Sequence, residues 1–284
     1  MTRRLGVAHL TLLNLTPPEV VATAAQAGFD FVGLRVKAVT ANERAYRMDA
    51  RSPMLAETRL RLADTGLVVE DIEFLPLTAE VTADDWLPVL ESGAALGATG
   101  LTVAGADPDR GRLTDTLARL TADAAAHGIR PLIEPISYQP LSSIPDAAAL
   151  ARATGAAVLI DPLHLQRGPS SVDDVAALEP SLLPVAQLCD GAALPPGPTV
   201  EDRLTEARRA RRVIGQGDFP LDRLIAALPA HIPLSVEVPD AALQAQLTPR
   251  EWAVLNARAL RELLARADAR AAASDPRHES EITR

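Results

Sequence analysis

Eight times along the chain a short apolar run gives way to an amphipathic stretch, and few folds accommodate that alternation. The apolar runs cover residues 5–10, 29–35, 67–73, 100–104, 130–134, 157–161, 184–190 and 233–238. Between them, 3.6-residue periodicity predicts helices, the first opening with Thr16 as N-cap and Pro17 at the first helical position and closing at Gly28. Later helices are expected over 53–65, 83–96, 113–127, 144–154, 172–178, 200–212 and 221–228, with a long helix over 249–270 after the eighth strand. Repeated βα units demand a parallel sheet covered by helices, and eight without interruption favour a single closed (β/α)8 barrel over an open doubly wound sheet. The first βα turn carries no G-x-G-x-x-G loop, which argues against a dinucleotide fold. Residues 1–270 are expected to form the barrel, and residues 271–284 a polar, disordered tail.

Composition narrows the function classes. No apolar run reaches the length of a membrane span, and the N-terminus has no hydrophobic signal core, so a cytoplasmic protein is expected. One cysteine, Cys189, cannot form an internal disulfide and reads as buried packing. A formal net charge of -9 disfavours a nucleic-acid partner, and the expected partner is a small molecule, with homo-oligomers compatible. Lys37 is the only lysine, so Schiff-base chemistry elsewhere is excluded.

In such a barrel the C-terminal strand ends face the functional side, so polar residues that end apolar strands are the ones to inspect. LIEP puts Glu134 at the end of strand five, VLIDPLH puts Asp161 at the end of strand six, VAQLCD places Gln187 on strand seven, and LSVEVP places Glu237 on strand eight. Three carboxylates converging on one volume repel one another and lose solvation, a cost a bound cation offsets. With an amide oxygen they form a hard donor set, suited to Mn2+ or Mg2+, with Co2+ or Zn2+ next. His164 follows Asp161 by three residues and would lie near such an ion. His9, Arg35 and Glu73 end strands one to three and either line a pocket or belong to structural ion pairs. Arg208 and Arg211, within RRARR, form a solvated basic face or, turned inward, a clamp for a substrate carboxylate. Tyr138 reads as a loop aromatic that could cover the pocket.

Glu134 in IEP, Asp161 and His164 in DPLH, Gln187 in QLCD, Glu237 in VEVP and the intervening RRARRVIGQGDFPL together resemble the xylose isomerase-like barrel superfamily, over essentially the whole barrel. The resemblance implies that Glu134, Asp161, Gln187 and Glu237 hold the metal and that His164 contacts a substrate oxygen. Two departures stand out: Gln187 where many members have histidine, and GQG at residues 215–217 where similar proteins often carry GEG. The implied activity is isomerisation or epimerisation of a small polyhydroxy ketone or sugar; Glu134 and Glu237, from strands five and eight, are expected to face each other across the metal and move the protons, and Arg208, Arg211, Glu73 and His9 are the further expected substrate contacts. Dehydration of a dehydroshikimate- or inosose-like substrate uses the same residues and is the alternative. Nuclease action on abasic DNA fits poorly with five scattered histidines, and a metal-free binding protein fits poorly with four intact ligands.

Overall fold

The computed structural model describes residues 3–40 and 43–273. Among these, eight parallel strands, β1 (Leu5–Val7), β2 (Phe31–Arg35), β3 (Val68–Leu77), β4 (Gly100–Gly105), β5 (Arg130–Glu134), β6 (Ala157–Val158), β7 (Ala186–Leu188) and β8 (Leu234–Val236), pair in the order 6-5-4-3-2-1-8-7. The remaining seam is closed by a parallel bridge between Ile160 and Ala186, where Gln187 N donates to Ile160 O at 2.9 Å. The result is the (β/α)8 barrel that the alternation predicts.

The helices are α1 (Pro17–Ala27), α2 (Pro53–Thr65), α3 (Ala83–Leu96), α4 (Arg110–Ala125), α5 (Ile144–Thr154), α6 (Pro162–Arg167), α7 (Val172–Ala176), α8 (Val200–Arg209), α9 (Leu221–Ala227), α10 (Ala241–Gln244) and α11 (Pro249–Ala273). Thr16 and Glu19 form a capping box at α1, and Gly28 ends it at φ 76°, a conformation that favours glycine. Two short helices, α6 and α10, lie inside βα loops where only strand ends and turns were expected. His9, expected to end strand one, instead opens a 3₁₀ turn. The outer helix α11 runs to Ala273, three residues into the segment read as a tail, and residues 274–284 lie outside the described residues. No described helix is long and apolar enough to cross a membrane.

The barrel interior grades from apolar to polar along its axis. Phe31, Leu132, Ala157, Leu159 and Val185 pack together as a separate buried cluster and plug one end. Because strand side chains alternate in direction, the residues two further along point into the same lumen: Leu132 leads to Glu134, Leu159 to Asp161 and Val185 to Gln187. The plug thereby fixes which side chains reach the functional face. Gly6 is needed there, since a Cβ on it would sit 2.2 Å from the Phe31 ring. We expect Gly6→Ala to lower stability by about 1–3 kcal/mol through overpacking, measurable as a shifted urea midpoint at unchanged slope; an unshifted midpoint would show that the plug yields.

Candidate metal centre and active site

A cavity of about 770 Å³ opens at the C-terminal strand ends and is lined by Glu73, Glu134, His164, Gln187, Arg211 and Glu237, among others. Glu134 is the last residue of β5. Asp161 caps α6, accepting from Leu163 N at 2.7 Å through Oδ1, so one residue both starts a helix and faces the lumen. Gln187 lies within β7, and Glu237 follows β8 with its amide on Leu188 O at 2.9 Å. All four are buried.

Arg211 enters the same space. Sequence left it between a solvated face and an inward clamp, and backbone pairing decides the matter. Ala210 bridges Asp240 and Arg212 bridges Asp190, so the extended segment turns the residue between them to the opposite side, into the barrel. Its guanidinium donates to Asp161 Oδ2 at 2.5 Å and lies 2.9 Å from Glu237 Oε2. Its Nε donates to Ala207 O at 2.8 Å. Asp190 holds this crossing in place: its buried carboxylate accepts from the backbone amides of Gly191, Gly215, Gly217 and Phe219. The GQG loop is thus a scaffold turn. A Cβ on Gly217 would lie 2.2 Å from Asp190 Oδ1.

The electrostatics follow from burying so many acids together. Burial, reinforced by Asp161 and Glu237, pushes the Glu134 carboxyl well above its ordinary range. Burial likewise raises Glu237 to about 7, with Arg211 opposing the shift. For Asp161, burial works upward, but Arg211 and His164 outweigh it and hold the group below the usual value. Burial lowers His164 to about 4, so the ring is neutral near pH 7. Its Nδ1 lies 3.2 Å from Ser137 Oγ, its Nε2 lies 3.7 Å from Glu134 Oε1, and Tyr138 packs edge-on against it.

These residues fit a cation. Glu134, Asp161 and His164 present possible ligand atoms all within 4.8 Å of one another. Gln187 donates its amide to Glu237 Oε1 at 3.1 Å, while its Oε1 is buried without a hydrogen-bond partner. A carbonyl oxygen left bare among carboxylates is costly unless something positive meets it. The structure adds His164 to the candidate donors and draws Glu237 toward Arg211.

The other expected substrate contacts divide. Glu73 lines the cavity, accepting from His9 N at 3.1 Å, and burial followed by Asp71 and Glu237 raises its carboxyl well above normal. His9 itself does not reach the cavity: Nδ1 accepts from Arg35 N at 2.9 Å and Nε2 faces Leu15 O at 3.1 Å, so both ring nitrogens serve the scaffold. Arg35 pairs with Glu43 at 2.5 Å. Arg208 is exposed on the cavity wall. Arg44, Tyr46 and Arg209 also line it. Arg44 and Tyr46 come from a βα loop without periodicity, where the sequence carries no signal to find them.

The sequence model of the xylose isomerase-like TIM barrel family matches residues 21–263. The chain belongs to this family. No curated protein matches the sequence. Among solved structures, the family likeness includes a xylose isomerase-like TIM barrel/4-hydroxyphenylpyruvate dioxygenase fusion protein, 20% identical with a TM-score of 0.79, over 95% of this chain and 44% of that one. The chain therefore spans less than half of that fusion. The IOLI protein with a bound zinc atom is 14% identical with a TM-score of 0.73, over 93% and 99% of the two chains. The probable 3-DHS dehydratase AsbF from Bacillus anthracis is 13% identical with a TM-score of 0.69, over 90% and 98%. At these identities the structural likenesses establish the fold alone.

The buried acids give this barrel a pH signature. A carboxyl raised in the folded state keeps a proton that the unfolded chain has released, so stability falls as pH rises through the folded value. Buried His9 and His164, lowered to about 4, act in the opposite sense and have finished titrating in the unfolded chain near its ordinary histidine value. Between about pH 6.5 and 8 the raised carboxyls dominate among the described residues, so chelated protein should melt at progressively lower temperature over that window. Protein saturated with Mn2+ should not, and a flat profile for chelated protein would show that the glutamates are already ionised.

Proposed function

We propose that this barrel is a divalent-metal-dependent isomerase or epimerase of a small polyhydroxy ketone or sugar. The observation that carries the reading is the meeting of two buried glutamates, Glu134 and Glu237, in one cavity with a bare amide oxygen, beside the buried Asp161 carboxylate that Arg211 links to Glu237. The zinc atom in the IOLI structure supports a divalent metal in a barrel of this fold. Glu134, Asp161, Gln187 and Glu237 would hold the ion, with His164 beside them. A bound divalent ion would supply Lewis-acid polarisation of the substrate carbonyl and orient the neighbouring hydroxyl.

The residues supply the rest. Glu134 and Glu237 come from non-adjacent strands, so one can take the proton from the carbon beside the carbonyl and the other can return a proton to the neighbouring position or the opposite face. Their raised proton affinities bring them toward the operating pH of a general base. His164, neutral and buried, is placed to hydrogen-bond a substrate oxygen. Tyr138 covers it and helps exclude water.

A second reading, dehydration, is favoured by a separate observation. Arg44, Arg208 and Arg209 line the cavity, and Arg208 and Arg209 have no salt-bridge partner among the described residues. Such cations suit a substrate carboxylate. Under this reading the same proton abstraction is followed by loss of a β-hydroxyl as water, as the name of the probable 3-DHS dehydratase suggests for that protein.

Glu134→Gln and Glu237→Gln should each leave a folded barrel and reduce turnover by on the order of a hundredfold or more. Chelation should abolish activity and Mn2+ or Mg2+ should restore it. Near-normal turnover in both glutamine variants would defeat the reading. Product analysis separates the two reactions: dehydration of a dehydroshikimate-like acid creates a conjugated chromophore, and Arg208→Met should raise KM for that substrate by about tenfold while sparing kcat. Formation of a sugar isomer without water loss, at a KM indifferent to Arg208, would favour the isomerase.

A further inference from the structure

Asp161 has two oxygens, and both are engaged: Oδ1 accepts from Leu163 N, and Oδ2 accepts from Arg211 Nη1. Glu237 is in the same position, with Oε1 taken by the Gln187 amide and Oε2 facing Arg211 Nη2 at 2.9 Å. Turning Asp161, Gln187 and Glu237 onto a common ion therefore requires some of these contacts to be given up. The Leu163 amide is the first turn of α6 and cannot follow. The guanidinium is the partner that can move.

We propose that Arg211 is the resident counter-cation of this site, holding Asp161 and Glu237 in the metal-free protein and competing with a divalent ion for them. The inference rests on the metal-centre reading and goes beyond it, because it assigns the barrel a built-in brake on metal affinity. Arg211 is 2% exposed, and its charge contacts Asp161 and Glu237 and acts on Glu134, with no other arginine or lysine in contact with these three carboxylates among the described residues. Its backbone is clamped by the bridges on both sides, and Nε is tied to Ala207 O, so the side chain is delivered to the acids by the scaffold. Nη1 also lies 3.3 Å from Glu237 O, a contact the guanidinium can keep while it releases the Asp161 carboxylate. A positive charge fixed this close to a divalent ion weakens its binding whether or not the contacts are fully released.

The test uses the full chain stripped with a chelator and titrated with Mn2+ alone, followed by calorimetry and by the electron paramagnetic resonance of free Mn2+. Arg211→Met should bind one Mn2+ at least about tenfold more tightly than the unsubstituted protein and melt at a lower temperature when metal-free, and Mn2+ should raise its melting temperature by the larger amount. Arg211→Lys, which keeps the charge, should stay within about threefold of the unsubstituted affinity. Should Arg211→Met fail to fold without metal, refolding with millimolar Mn2+ should restore a cooperative melt, and failure of that rescue would overturn the proposal. Equal or weaker Mn2+ binding by Arg211→Met, with one ion bound by the unsubstituted protein and lost in Asp161→Asn, would overturn the proposal and leave the metal centre standing. Binding by neither protein would remove both.

Discussion

Carboxylates buried at the mouth of an apolar barrel have to be neutralised, and much of the functional half of this protein is arranged around that requirement. Glu134, Asp161 and Glu237 lie within one lumen, with Glu73 and Asp71 deeper along it. Stripped of water, each would cost several kcal/mol if left ionised and unpaired. Burial favours protons on the glutamates and the guanidinium of Arg211 neutralises their neighbours, while a bound metal ion, under the proposed function, would be a third remedy. These remedies are interchangeable in charge but not in chemistry. A retained proton silences a base, a guanidinium occupies its oxygens, and only an ion leaves the glutamates both charged and facing a substrate.

That arrangement depends on residues which touch no substrate. Asp190 gathers four backbone amides and so fixes the loop that carries Arg211 across the end of the barrel. Arg167 and Glu206 form a buried pair at 2.7 Å that ties α6, which begins at Asp161, to α8, which ends just before Arg211. A buried pair of this kind adds little net stability but is strongly destabilising when one partner is lost. The two elements that bring Asp161 and Arg211 together are therefore held to each other by an interaction that tolerates no half measure.

Much of this was legible in the sequence because it follows from periodicity. The eight strands, the caps at Thr16 and Gly28, and the convergence of Glu134, Asp161, Gln187 and Glu237 all come from local pattern plus the rule that strand ends share a face. What sequence could not resolve were directions set by distant pairing. Arg208 and Arg211 are three residues apart, close enough for one helix face, yet α8 stops at Arg209 and an extended crossing takes over. Arg211 consequently turns inward while Arg208 stays on the wall. His9 shows the converse: it sits where a pocket residue would, but a 3₁₀ turn swings its ring onto the Arg35 amide and the Leu15 carbonyl. No periodicity encodes either outcome.

The division of the cavity wall suggests where reaction and substrate are each decided. The charged floor is built from strand ends, whose positions the plug of Phe31, Leu132, Ala157, Leu159 and Val185 dictates through the two-residue alternation of the strands. Moving a floor residue means shifting a strand register, which would turn every lumen side chain of that strand outward. The rim, with Arg44, Tyr46, Tyr138, Arg208 and Arg209, comes from loops and a helix end that tolerate substitution without touching the plug. Under the proposed function, proton abstraction beside a carbonyl would thus be tied to the architecture of the barrel. On the same proposal, the identity of the substrate, including whether it bears a carboxylate and whether it loses water, would fall to a few rim residues that can change independently of that chemistry.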